Sequence, residues 1–145
     1  MNEMFTMEEA INLILNFYTF TQGYWKEEIK GCPEACKFIE AGFTKMDGQY
    51  PDLYKMNNEG EKVLHSYIKK ISEQFIVFIC KNGLDVSEEK ATHWFRETYE
   101  LSDVELAKEI CYYICGNLHN YGYKTCKYHS NKKGIGYMAQ KIIGK

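Results

Sequence analysis

The chain has 145 residues, 45% of them apolar and 26% charged, with a net charge of −2; this fits one ordinary globular domain or two small modules and argues against disorder. The longest apolar run, near Phe75 to Cys80, is too short to span a bilayer, and no basic region followed by an apolar stretch opens the chain. The expectation is therefore a cytosolic protein with no membrane partner, whose six cysteines (Cys32, Cys36, Cys80, Cys111, Cys115 and Cys126) are free thiols.

In chain order, Thr6 and Glu9 make a capping box that opens a helix with Ala10, Leu13, Ile14 and Phe17 on one face. Gly23-Tyr24 reads as its stop. A short helix around Trp25 to Lys30 comes next, and Cys32 with Pro33 at the first helical position starts another through Ile39, stopping at Gly42-Phe43. A two-stranded hairpin with a turn at Asp47-Gly48 succeeds it. Asn58 and Glu61 then cap a long helix with the stripe Leu64, Ile68, Ile71, Phe75, Phe78 and Ile79, ending at Gly83-Leu84. Ser87 starts a helix carrying Ala91, Trp94, Phe95 and Thr98. Ser102 with Glu105 opens the last, with the stripe Val104, Ala107, Cys111, Ile114, Cys115 and Leu118, ending near Gly122-Tyr123.

The C-terminal segment is again hairpin-like, with Lys124 to Tyr128 and Ile135 to Met138 around a polar connection at Ser130 to Gly134. Helices, a glycine with an aromatic residue, then a hairpin thus recur, with Tyr54-Lys55-Met56 in one copy and Tyr137-Met138-Ala139 in the other. The repeat is one of element order. The fold class expected is mainly α with two short β-hairpins, an α+β arrangement.

The run from Leu53 through Asn57, Asn58, Glu59, Gly60 and Glu61 to Leu64 resembles the wing strand and succeeding helix of the winged helix-turn-helix family. The resemblance covers residues 5–83 and, more loosely, 63–145. It implies a winged-helix-like unit at 1–83 with its hairpin at 43–56, and a second at 63–145 with its hairpin at 123–138, the two sharing helix 58–82. In that family the helix before the wing enters the major groove, and basic residues of helix and wing contact phosphates.

Carried onto this chain, the first such helix, Pro33 to Ala41, offers Glu34, Lys37 and Glu40, a poor face for DNA. The second, Asp103 to Leu118, offers Glu105, Lys108, Glu109, Tyr112 and Tyr113. The first hairpin sets Lys45 and Lys55 against Asp47 and Asp52, so it reads as structural. Charge points elsewhere. The first 116 residues hold 12 Lys and Arg with all 20 acids, whereas the last 29 hold six lysines and no acid. Phosphate contacts are therefore expected from Lys124, Lys127, His129, Lys132, Lys133 and Lys141, with Lys108. The sole arginine, Arg96, lies outside that segment, which removes the commonest guanine reader.

Cys111, Cys115, Cys126 and His129 have a spacing that could supply four ligands to zinc, yet Cys111 and Cys115 also continue an apolar stripe, and buried thiols are the preferred reading. No catalytic arrangement stands out around His65 or His93, and the paired acids Glu8-Glu9, Glu27-Glu28 and Glu88-Glu89 sit where they offset helix dipoles. The expectation is a small non-enzymatic protein without cofactor. It is either a DNA-binding regulator or accessory factor with double-stranded DNA as partner, or a winged-helix-like module that engages another protein. A homodimer would place two basic hairpins on one side.

Overall fold

A computed structural model of the chain describes residues 5–20, 23–82 and 87–117. Helix α1 (Met7–Leu15) opens as its capping box dictates: the Thr6 Oγ1 accepts from the Glu9 N–H at 3.1 Å, and the Thr6 N–H donates to Glu9 Oε1 at 3.0 Å. Ala10, Ile11, Leu13, Ile14 and Leu15 of α1 are buried. A π-helical turn, Asn16–Phe20, continues it.

Gly23 and Tyr24 do not form the expected helix stop. They belong to strand β1 (Gly23–Trp25), which pairs antiparallel with a strand some thirty residues on, Gly23 opposite Lys55 and Trp25 opposite Leu53. The glycine serves close approach, because a Cβ there would run into the Tyr54 carbonyl oxygen. Helix α2 (Lys26–Ile29) and helix α3 (Pro33–Glu40) come next as expected, the latter with Cys32 as N-cap residue and Pro33 in its first turn.

Helix α3 ends in a Schellman motif. Gly42 takes φ +84°, its N–H donates to the Ile39 carbonyl at 3.0 Å, and the Phe43 N–H donates to the Phe38 carbonyl at 3.2 Å. The accompanying apolar contact is Phe43 on Phe38, ring centroids 5.2 Å apart. Strands β2 (Thr44–Met46) and β3 (Leu53–Met56) then form the hairpin, giving a three-stranded antiparallel sheet of order β1-β3-β2.

The hairpin connection is longer than a two-residue turn at Asp47-Gly48. Residues 47–52 bridge the strands, because the Asp47 Oδ2 turns back to accept from the N–H groups of Gln49 and Tyr50 at 2.9 and 2.7 Å. Helix α4 (Asn58–Asn82) is capped one residue earlier than expected. The Asn57 Oδ1 accepts from the Gly60 N–H at 2.9 Å, while its Nδ2 donates to the Gly42 carbonyl at 2.8 Å. One side chain thus ties the end of α3 to the start of α4.

The chain divides between Tyr67 and Ile68, inside α4, into two compact units. In the first, Phe38 lies among aromatic rings, with Phe17 at 5.3 Å and Phe5 at 6.0 Å, and Phe17 meets Tyr24 at 5.4 Å. The Phe5 N–H and carbonyl both bond the Tyr67 hydroxyl, at 3.4 and 3.5 Å.

In the second unit, Ile68, Ile71, Phe75 and Ile79 of α4 are buried, as the stripe requires. Helix α5 (Glu88–Thr98) starts at the Ser87 cap, whose side chain accepts from the Lys90 N–H. Helix α6 (Val104–Asn117) takes its cap from Asp103 rather than Ser102, the Asp103 Oδ1 accepting from the Glu105 N–H at 2.9 Å. Its buried face is Ala107, Ile110, Cys111, Ile114 and Cys115, while Val104 is 44% exposed, outside the core. Leu118, both later glycine stops and the second hairpin at 123–138 lie outside the described residues.

Helix α5 also ends in a Schellman motif, but with Glu100 in the glycine position at φ 53°. The Leu101 N–H donates to the Arg96 carbonyl at 2.9 Å, and the Glu100 N–H to that of Glu97 at 3.4 Å. A left-handed residue with a Cβ costs about 1 kcal/mol against glycine. Glu100→Gly is expected to raise stability by about 1 kcal/mol, read as an increased urea midpoint with an unchanged slope.

Candidate functional site

Helix α3 is the element that the family resemblance aims at DNA, and its cation is already engaged. Lys37 Nζ lies 2.8 Å from Glu9 Oε1 and 5.4 Å from the Phe5 ring centroid. The hydrogen bond from Lys37, outweighing partial burial, holds the Glu9 carboxyl below its ordinary value. Glu34, half-buried, and Glu40, exposed, are the acids of this helix. Phosphate would be repelled there.

The hairpin is similarly self-compensated. Lys45 and Lys55 stand directly opposite in the register, a like-charge pair that destabilises strands. Asp47 relieves it, with Oδ1 at 2.9 Å from Lys55 Nζ. The bond from Lys55, then those from the Tyr50 and Gln49 N–H groups, hold the Asp47 carboxyl below its ordinary value. A lowered carboxyl adds stability that is complete above its unfolded value and is lost as pH falls through the folded one. Asp47→Asn is therefore expected to be less stable than the parent at neutral pH and to converge with it under acid, between about pH 5 and pH 2. Urea midpoints of both proteins across that range check this.

Beside the hairpin, Trp25 and Tyr50 meet edge to face at 5.9 Å, and both are more than one third exposed. Lys45 is exposed as well.

Of the phosphate-contact set, only Lys108 falls within the described residues. It lies on α6 at 3.9 Å from Glu105, in a cleft of about 430 Å³ between α5 and α6. Glu88, Glu89, Thr92 and Arg96 line the same cleft. The structure thus brings Lys108 together with acids of α5. Lys124, Lys127, His129, Lys132, Lys133 and Lys141 lie outside the described residues.

Cys111 and Cys115 are buried, and burial first, then the hydrogen bond that the Cys115 thiol donates to Cys111, pushes the Cys115 thiol well above its ordinary value. Zinc needs thiolates, which this apolar setting opposes. Among the described residues no group of three or more His, Cys, Asp or Glu could hold a metal ion. Cys126 and His129 lie outside them. Cys36 Sγ donates to the Ile29 carbonyl at 3.4 Å, and burial raises the Cys32 thiol. His93, 71% exposed, stands 3.7 Å from Glu97.

Two features escape a reading of the sequence alone. Asn57 is hidden beside its equally suitable neighbour Asn58, and the α5–α6 cleft is hidden among charged helix surface. Its signal is spacing: positions 88, 92 and 96 repeat every four residues, as do 104 and 108.

Compared with known protein families, with characterised proteins and with solved structures, the chain matches none. Among the described residues no helix is long and apolar enough to cross a membrane.

Proposed function

We propose that the chain is a winged-helix protein that binds duplex DNA through backbone phosphates, using the lysine-bearing segment after residue 116 rather than the helix before the first wing. The observation that supports the fold assignment is the order of elements in the first unit: helix, strand, two helices, then a hairpin whose second strand lies between its first and β1. That order suits a helix-turn-helix with a wing at its side, the third strand joining it to α1.

The surface of this unit then argues for where contact is made. Lys37 is held by Glu9, Lys55 is held by Asp47, and Glu34 and Glu40 lie on α3. An acid-free segment with six lysines is the part of the sequence able to release counterions. Without arginine there, recognition is of backbone and shape more than of base edges.

A binding isotherm on a random duplex at low salt tests the assignment. The double variant Lys132→Ala/Lys133→Ala should bind more weakly, and Lys37→Ala should bind as the parent does. Loss of binding in Lys37→Ala with retention in the double variant would transfer the function to α3. Absence of binding in the parent would favour a second reading, a protein-interaction module. The acids of α3 and the exposed Trp25 and Tyr50 support that reading, since such surfaces engage proteins more readily than phosphate.

A further inference from the structure

The two tryptophans of the chain have opposite surroundings. Trp94 is packed among the rings of Phe75, Phe78, Phe95 and Tyr99, with centroids 4.9 to 5.6 Å away. Among the described residues Trp25 meets one ring, that of Tyr50, and the two are 39% and 49% exposed.

Both exposed rings are fixed from the backbone. Trp25 pairs with Leu53 in the sheet, and its N–H donates to Glu28 Oε1 at 2.8 Å. Tyr50 opens a turn with Pro51 in second place: the Leu53 N–H donates to the Tyr50 carbonyl at 3.0 Å, and the Tyr50 N–H donates to Asp47 Oδ2 at 2.7 Å. A ligand would thus meet rings whose backbone is already ordered.

The rings stand at 71°, so one turns its edge to the face of the other and keeps its own faces uncovered by the pair. The result is a corner with two aromatic walls near a right angle. Ring faces carry the negative part of the aromatic quadrupole and attract cations. The charges nearby have the same preference. Glu27 and Glu28 succeed Trp25 closely in the chain, and the bond from the Lys26 N–H to the Asp52 carbonyl, at 2.8 Å, brings Asp52 alongside. Lys26 is the cation among these positions; Lys55 is held by Asp47, and Lys45 stands opposite it on β2. A plain ammonium is strongly hydrated, whereas methylation removes its N–H donors and wraps the charge in apolar surface that suits aromatic walls. A choline headgroup would bring a phosphate against these acids, and a methylated lysine side chain carries no anion.

We infer that Trp25 and Tyr50 form an open, two-walled aromatic site for a trimethylated lysine side chain, with Glu28 and Asp52 supplying negative potential. The site lies within the first unit and rests on its own rings, not on duplex binding by the segment after residue 116, so either can fail without the other.

Titration of the full chain with Nα-acetyl-Nε-trimethyllysine amide, read by NMR of indole and backbone N–H groups, tests this. The Trp25 indole signal should shift saturably while that of Trp94 stays in place. Three comparators should each bind about fivefold more weakly, the upper range for a cation on an exposed ring: the unmethylated lysine amide, the neutral analogue with a tert-butyl group in place of trimethylammonium, and phosphocholine. Trp25→Leu and Tyr50→Leu, both at exposed positions, should each weaken trimethyllysine binding about fivefold, the former read on the backbone N–H groups of Tyr50 and Asp52. No saturable shift, equal or tighter binding of any comparator, or unchanged affinity in either leucine variant would overturn the assignment.

Discussion

Phe38→Ala is expected to destabilise the protein by about 3–5 kcal/mol, enough to unfold much of a domain of ordinary stability. Phe38 is 1% exposed, touches the rings of Phe5, Phe17 and Phe43, and receives the backbone bond that closes the α3 Schellman motif. Truncation therefore removes transfer energy and leaves a cavity walled by rings that other elements hold in place. Chemical denaturation followed by far-UV circular dichroism checks it. A loss below about 1 kcal/mol would mean that the first unit does not pack around this ring.

Gly60→Ala should lower stability by about 1–3 kcal/mol, against the usual gain of about 0.5–1 kcal/mol for glycine to alanine inside a helix. The reversal comes from packing. A Cβ on Gly60 would strike the Phe43 carbonyl oxygen, with Met56 Cγ at 2.8 Å and Phe38 Cζ at 3.0 Å. Gly116, in α6, is the internal control, since a Cβ there meets nothing within 4 Å among the described residues. Gly116→Ala should therefore stabilise by about 0.5–1 kcal/mol. Paired thermal melts of the two variants, moving in opposite directions, are the expected result, and a shift of the same sign in both would contradict the packing of the hairpin against α4.

The same residues explain how far the sequence can be read. Thr6 with Glu9, Pro33 behind Cys32 and Gly42 before Phe43 are local devices, each complete within a few residues, and each appears where its pattern predicts; the α4 stripe repeats along one helix, and all of it but the half-buried Phe78 is buried. Strand β1 is not local. Its three residues are extended because Leu53 to Lys55 pair with them, and a glycine after an apolar helix looks the same whether it ends a helix or admits a neighbouring backbone. The two displaced caps have one cause: Asn57-Asn58 and Ser102-Asp103 each place two capping residues side by side. Tertiary contact decides the first, where Asn57 also reaches the Gly42 carbonyl. The hairpin connection exceeds the expected turn because the Asp47 carboxylate bonds to backbone groups beyond Gly48.

Site legibility follows charge more than fold. The lone positions of Lys37 and Lys55 suggest available cations, and only their partners Glu9 and Asp47, 28 and 8 residues away, show them engaged. Arg96 reads as an isolated arginine, yet it borders a cleft whose far end is acidic.

Phosphate binding by the segment after residue 116 meets its sharpest test in the salt dependence of duplex binding. The full chain should lose affinity steeply with salt, and Lys132→Ala/Lys133→Ala should reduce the logarithmic slope by about 1.8, close to 0.9 for each lost phosphate contact. A parent that does not bind at low salt, or a slope unchanged by the double variant, would refute it.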